Sequence, residues 1–367
     1  MHSEMHFSDK NIIINQESSG EVIWRSPSNI ALIKYWGKRE NQIPENPSLS
    51  FTLENSFAKT KLNYAFQDKG DVPRIQFSFM DMANHVFASR VETYIISLMP
   101  LFPWLKKLNL HIDSQNNFPH SAGIASSAAG LSSLALCLNT IYTNLSGQEI
   151  FSPDFLKQSS YLSRLASGSA ARSVYGGFTT WGTIDKQQET SDAYASPVPL
   201  RVHNNFINIQ DSILIIHSGK KAVSSSEGHA LMKKHPYAKA RFKQANQHVL
   251  EMLDILKSGN WQGFISITEQ EALTLHALIM SSDPAYILFK PETIKAIEKI
   301  RSFRKQHKLP LCFTIDAGPN LHLLYPGEIK EKVKLFIKDE LAEFCQDNQW
   351  IDDGIGQGPE LLQNKFV

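Results

Sequence analysis

The sequence is short of several things at once. Among its 367 residues there are three cysteines, Cys137, Cys312 and Cys345, with none of the close pairing that zinc sites and disulfide frameworks use. They read as reduced thiols. Charge of one sign is missing too: 37 lysines and arginines stand against 36 aspartates and glutamates. No global field recruits nucleic acid or an anionic membrane surface, so any anion site must be local. A run of about 18 apolar residues, long enough for a membrane span, is absent, and the N-terminal stretch lacks a basic region followed by an apolar core. The expected location is therefore the cytoplasm. There is no internal repeat, and no G-x-x-x-x-G-K-[ST] phosphate loop.

What is present is the mix of an ordinary globular protein, with 42% hydrophobic and 20% charged residues. At about 100 to 200 residues per domain, the length allows two. The expected division is a loosely held arm over 1–20, a first domain over 21–205 and a second over 206–367. The boundary lies in the proline- and asparagine-bearing stretch near 200–210. In the first half, "VIWRSPSNIALIKYWGK" reads as a strand broken at Ser26-Pro27-Ser28, and "PSLSFTLEN" and "TKLNYAF" alternate as strands. Leu108, Leu110 and Ile112 end a further strand, after which Leu131, Leu134, Ala135, Leu138, Ile141, Tyr142 and Leu145 fall at helical spacing. Ser152-Pro153 supplies a cap and a first-turn proline for the next helix. The second half predicts a strand from Ser212, a long helix from about Ser226 to Leu256, and more helices to about His307. Two strands follow around "AGPN", and then an irregular glycine-rich tail. Separate helices and adjoining strands of this kind give an α+β fold.

Four stretches carry chemistry. "GIASSAAG" leads straight into the helix, and Gly123, Ala125, Ser126, Ser127, Ala128 and Gly130 are small enough to let a phosphate reach the unpartnered amides of a helix N-terminus. Close helix-to-strand packing also needs small residues, so this stretch alone leaves both readings open. "NIALIKYWGK" crowds Asn29, Lys34, Tyr35, Trp36 and Lys38 at a strand end, where lysines beside aromatics suit phosphate or carboxylate groups; a solvated lysine pair flanking a core tryptophan is the plainer alternative. "SGSAARSVYGG" offers Ser167, Gly168, Ser169 and Arg172, whose guanidinium is shaped to hold a carboxylate by two parallel bonds. "FTIDAGPN" ends a strand on Asp316, at the rim of a sheet, although an aspartate before Ala-Gly-Pro is also a common turn former. "MKKHPYAKARFK" reads as a solvated helix face, and His276 as a packed histidine.

Together, in this order, these stretches resemble the GHMP kinase superfamily, and within it the mevalonate diphosphate decarboxylase family, over roughly residues 22–330. The resemblance implies an N-terminal α+β domain like a ribosomal-protein domain, packed on a C-terminal α+β domain with the active site in the cleft. It implies ATP-dependent decarboxylation of (R)-5-diphosphomevalonate to isopentenyl diphosphate, releasing ADP, phosphate and CO2, with ATP and Mg²⁺ as cofactors and a homodimer as the assembly. By the same resemblance, Asp316, Lys34, Arg172 and Asn29 match the catalytic positions. Tyr35, Lys38, Ser167, Gly168, Ser169 and Arg172 match substrate-holding ones, and the 123–130 loop matches the nucleotide-phosphate loop. In "AVSSSEG" the match falls on Ser225, with Ser224 and Ser226 adjoining; no metal ligand is assigned. The chain departs from the family at His120, where threonine is common, and at Ala166 and Ala171. "EALTLHA" lacks the asparagine of eukaryotic members.

The implied chemistry is coherent. Decarboxylation needs somewhere for the bonding electrons to go, and phosphorylating a tertiary hydroxyl turns it into a leaving group, so a kinase fold can run a lyase reaction. Rival readings are a decarboxylase of 5-phosphomevalonate, a mevalonate 3-kinase that stops after phosphorylation, and a catalytically silent metabolite sensor. Retention of both Asp316 and Arg172 argues against the last two.

Overall fold

The computed structural model describes residues 5, 7, 12, 14–68, 70–80, 82, 85–119, 124–219 and 225–366, except the side chains of 85, 225 and 226. The first half contains β1 (Ser19–Ile33), β2 (Ser48–Phe66), β3 (Arg74–Phe79), α1 (His85–Ser97), β4 (Leu108–Asn116), α2 (Ser126–Ser146), α3 (Pro153–Ala166), β5 (Phe178–Trp181) and β6 (Ala195–Pro197). The second contains β7 (Ile209–Leu214), α4 (Ser225–Leu231), α5 (Ala238–Ser258), α6 (Trp261–Met280), α7 (Pro291–His307), β8 (Cys312–Thr314), β9 (Leu321–Pro326), α8 (Lys330–Phe336), β10 (Trp350–Gly354) and β11 (Glu360–Phe366).

Among the described residues these strands make two sheets. One runs β11-β1-β2-β4-β3, with β5 paired to β2 and β6 to β5; the other runs β10-β7-β9-β8. Only β3 and β4 pair in parallel; the other ladders are antiparallel. The outer half of β2 alternates, Ala58, Thr60, Leu62 and Tyr64 inward, as one covered face requires. Its first residues, Ser48 to Leu53, are buried throughout because the second half of the chain covers the other face.

Proline 27 explains one departure from expectation. It brings no N–H to the ladder, yet β1 is not broken there: pairing with β2 shifts register between Pro27 and Asn29 and then continues to Ile33. The expected long helix is interrupted instead, since Pro236 cannot continue it and α5 starts afresh at Ala238. The tail is not irregular. Its last residues form β11, which pairs with β1, so the C-terminal end of the chain completes the N-terminal sheet. Described residues of the arm also have contacts: Phe7 packs edge-on against Phe102 and Tyr142.

Helix α2 runs through the middle of the first half and is buried along most of its length. Most of its polar groups are paired: Ser133 donates to the Trp24 carbonyl, Asn139 Nδ2 to the Phe155 carbonyl and Ser159, and Thr140 receives the Trp24 indole N–H. A second core mixes Ile30, Leu32, Leu49 and Phe51 with Ile209, Ile213, Val249, Leu253 and Phe264. The two halves thus share one apolar interior, and β1 delivers its C-terminal end to the place where they meet.

Candidate active site

Past Ile33 the chain leaves the sheet, and Lys34 is the first residue without a ladder partner. Its ammonium meets the Asp316 carboxylate at 2.7 Å. Lys34 is buried, and Asp316 keeps a partly open side chain at the turn after β8. That turn is tight, with the Gly318 N–H donating to the Asp316 carbonyl at 2.7 Å. A carboxylate at a strand end, backed by a buried ammonium and open on one side, is equipped to orient or take a proton.

Arg172 lies close enough to Asp316 to feel its charge. It lies in the short helix Gly168–Val174, where its Nε donates to Asn29 Oδ1 at 3.2 Å and its Nη1 to Ser48 Oγ at 2.6 Å. Asn29 is itself fixed, donating to Ser173 Oγ at 2.8 Å and to the Ser169 carbonyl at 3.1 Å. Burial lowers the guanidinium pKa to about 10, while Asp316 and Tyr35 pull it back up. The group remains charged at neutral pH.

Tyr35 faces Trp181 and His229, with ring centroids at 4.7 and 4.2 Å, and its hydroxyl donates to the Gln42 carbonyl at 3.3 Å. Burial pushes its pKa up, so it stays protonated. Gly168 is glycine for a steric reason: a Cβ there would lie 2.7 Å from Trp181 and 2.8 Å from the Tyr35 hydroxyl. Ser167 and Ser169 flank it, half-buried. Lys38 donates to Gln42 Oε1 at 2.9 Å. Burial, with Arg90 and Lys233 nearby, holds its pKa below the usual lysine value.

The N-terminus of α2 adjoins this cluster. Ala125 adopts a left-handed conformation (φ 44°) and gives the helix no side-chain cap, and Ser126, Ser127 and Gly130 are half-buried while Ala128 is buried. Ser28 of β1 donates to the Ile124 carbonyl and pins the approach to the helix. Beside it lies an apolar pocket lined by Phe77, Phe79 and Phe87, with Asn116 on its wall. Both amide atoms of Asn116 are buried and have no hydrogen-bond partner among the described residues. Gly123 lies outside the described residues, as does the side chain of Ser225, whose main chain opens α4.

Three contributors escaped the sequence reading. Arg90 of α1 reaches Ser127 Oγ and the Ala166 carbonyl, both at 3.4 Å, and so joins the α2 terminus to the Ser167 segment. His229 accepts the Gly37 N–H on Nδ1 at 3.0 Å and lies against Tyr35 and Trp36; burial, then Lys38 and Arg172, lowers its pKa to about 3, so it is neutral. Arg241, expected on a solvated face, is buried in an ion pair with Glu271 at 2.6 Å. A lone arginine or histidine in an amphipathic helix carries no motif. The only signal was a charged residue within an apolar helical stretch, as Glu271 is in "EALTLHALIM".

Residues 26–195 match the family described as diphosphomevalonate decarboxylase-like N-terminal domain, and residues 212–358 match the mevalonate 5-diphosphate decarboxylase C-terminal domain. The diphosphomevalonate decarboxylase of Rattus norvegicus is 30% identical over 343 residues, 88% of this chain and 78% of that protein. That of Ganoderma lucidum is 30% identical over 338 residues, 85% and 80% of the two chains. The chain belongs to the diphosphomevalonate decarboxylase family. Solved structures agree. Mevalonate diphosphate decarboxylase from Staphylococcus aureus superposes with a TM-score of 0.80 at 26% identity, covering 94% of this chain and 98% of that one. A structure described as MDDEF in complex with MVAPP, AMPPCP and magnesium does so with 0.78 at 26% identity, covering 94% and 99%. The α+β architecture is that of the family's GHMP kinase fold.

Proposed function

We infer that this protein catalyses the ATP-dependent decarboxylation of 5-diphosphomevalonate to isopentenyl diphosphate, releasing ADP, phosphate and CO2. The observation that carries the reading is the 2.7 Å contact of Lys34 with Asp316, brought together from the two halves of the chain beside the Arg172 guanidinium. Asp316 orients the tertiary 3-hydroxyl and takes its proton as that oxygen attacks the terminal phosphoryl group of ATP; Lys34 favours the ionised oxygen. Arg172, held by Asn29 and Ser48, grips the substrate carboxylate. When the carbon–carbon bond breaks, CO2 leaves, the electron pair forms the new double bond, and the 3-phosphate departs as inorganic phosphate.

Tyr35, Lys38, Ser167, Gly168 and Ser169 hold the substrate in this reading, and Arg90 adds a guanidinium at the same end. The α2 terminus, with Ala125, Ser126, Ser127, Ala128 and Gly130, receives the nucleotide phosphates together with Gly123 and Ser225. Mg²⁺ supplies charge neutralisation on the phosphates when bound. Among the described residues no group of three or more His, Cys, Asp or Glu side chains could hold a metal ion. Also among the described residues, no helix is long and apolar enough to cross a membrane. The division into domains over 21–205 and 206–367, apart from β11, which pairs in the first sheet, a cytoplasmic location and a homodimer complete the proposal, on the support of the family resemblance.

The test is incubation with ATP and either 5-diphosphomevalonate or 5-phosphomevalonate, following CO2 and ADP separately. One CO2 per ADP with the diphosphate is expected. Accumulation of a 3-phosphorylated product without CO2 would leave a 3-kinase in place of the decarboxylase.

A further inference from the structure

The Lys34–Asp316 pair is assembled from two distant segments, and neither segment is fixed by its own sheet at the reacting residue. Lys34 lies just past the last ladder position of β1. Its main chain is held instead by buried side chains. The Lys34 N–H donates to Glu271 Oε2 at 2.8 Å, and its carbonyl accepts from Arg241 Nη2 at 3.1 Å and Asn46 Nδ2 at 3.0 Å. Glu271 is fully buried and pairs with Arg241 Nη1 and Nη2, each at 2.6 Å, and with His248 Nδ1 at 2.6 Å. Burial by itself would raise the Glu271 pKa, but Arg241 and the hydrogen bonds from His248, Arg241 and Lys34 outweigh it and hold it at about 2. The anion is therefore permanent at working pH.

Asp316 is held in a matching way. His276, buried and stacked on Phe289 with centroids 4.0 Å apart, places Nε2 3.1 Å from the Asp316 carbonyl. A carbonyl only accepts, so Nε2 carries the proton. Burial lowers the His276 pKa to about 4, with the Lys34 ammonium lowering it and the Asp316 carbonyl and carboxylate raising it, so the ring is neutral.

Glu271 and His276 belong to the same helix, five residues and about 7.5 Å apart along its axis. We propose that α6 is the jig of the reacting pair, with Glu271 and His276 as positioning residues. One fixes the main chain of Lys34, the other the carbonyl of Asp316, and the helix between them sets the ammonium–carboxylate contact. The proposal rests on Lys34 and Asp316 being the reacting groups.

The experiment compares His276→Phe, which keeps a ring against Phe289 and removes the N–H, with His276→Gln, which keeps a donor. Asp316→Asn and Glu271→Gln are run alongside with ATP and 5-diphosphomevalonate. His276→Phe is expected to lower kcat about tenfold to a hundredfold, the scale of a small misplacement of reacting groups. Both KM values stay within about twofold. The acid limb of its kcat profile moves to higher pH, because a carboxylate whose ammonium is misplaced is easier to protonate. His276→Gln restores most of kcat, and Glu271→Gln shows the same kcat-selective loss. If Glu271→Gln does not fold, the His276 pair decides. A folded His276→Phe protein with wild-type kcat and pH profile, or equal damage in both His276 variants, overturns the proposal. Asp316→Asn separates the two levels: inactivity there with an unaffected His276→Phe rejects only the jig, whereas full activity rejects the reacting pair itself.

Discussion

In the proposed function, Arg172 is the residue on which decarboxylation and simple phosphorylation part company. Its Nε and Nη1 are already engaged by Asn29 and Ser48, so the guanidinium plane is fixed before substrate arrives. Lysine keeps the charge but offers neither the plane nor a two-bond grip on a carboxylate. Arg172→Lys is therefore expected to lower kcat for CO2 release at least tenfold while ATP affinity stays within about twofold, measured by CO2 trapping and nucleotide titration. Unchanged CO2 release would remove Arg172 from the carboxylate. At this scale much was legible beforehand. Asn29, Lys34, Tyr35, Lys38, Arg172 and Asp316 stood in short, dense stretches, and the fold brings those stretches together. Arg90, His229 and Arg241 were not legible, because each stands alone in an ordinary helix and acquires its partner only across the tertiary fold.

Among the elements, α2 is the one whose starting residues the proposed function assigns to nucleotide binding. It opens without a side-chain cap, next to Ser28, Ser126 and Ser127, and its dipole favours an anion at that end. Ser127→Glu would place a fixed negative charge there and beside Arg90, which now reaches Ser127 Oγ. The expected result is a rise of about tenfold or more in KM for ATP, with a smaller change for diphosphomevalonate, read from initial rates. Equal effects on both would argue that the small residues serve packing alone. Helix α2 could be read in advance from its periodicity and the start of α3 from its cap, because both signals are local; Ser152 accepts the Phe155 N–H at 3.1 Å as its pattern requires. Strand β11 could not. Its partner, β1, lies at the other end of the sequence, as the pairing of Gln363 with Ile23 illustrates, and nothing near the tail announces it. Arg241 differs from expectation for a similar reason: the helix face that looks solvated in "MKKHPYAKARFK" turns one arginine inward, where it pairs with Glu271 and donates to the Lys34 carbonyl of the first half.

For the molecule as a whole, the same junction that builds the site also sets its response to acid. His229 and His276 are both buried and neutral, with pKa values lowered from 6.5 to about 3 and about 4, chiefly by burial. As pH falls below about 6.5, the unfolded chain takes up protons at these positions that the folded chain refuses. Stability therefore declines over that window, at about 1.4 kcal/mol per pH unit for each histidine, until the pH approaches the folded values. Glu271 acts in the same direction lower down. Its pKa falls from 4.5 to about 2 on folding, so its contribution is complete above about 4.5 and is lost between there and about 2. Both histidines touch the segments that converge on the site, His229 at Gly37 and His276 at Asp316. Acid unfolding should therefore begin where the halves meet. Urea unfolding at pH 7.5, 6.5, 5.5 and 4.5 is expected to give a falling midpoint from about pH 6.5 downward. His276→Phe should make that fall shallower, because a phenyl ring has no proton to refuse. A midpoint that stays level from pH 7.5 to pH 5 would show that these two histidines titrate alike in the folded and unfolded chains, and a His276→Phe protein with the wild-type slope would show it for His276.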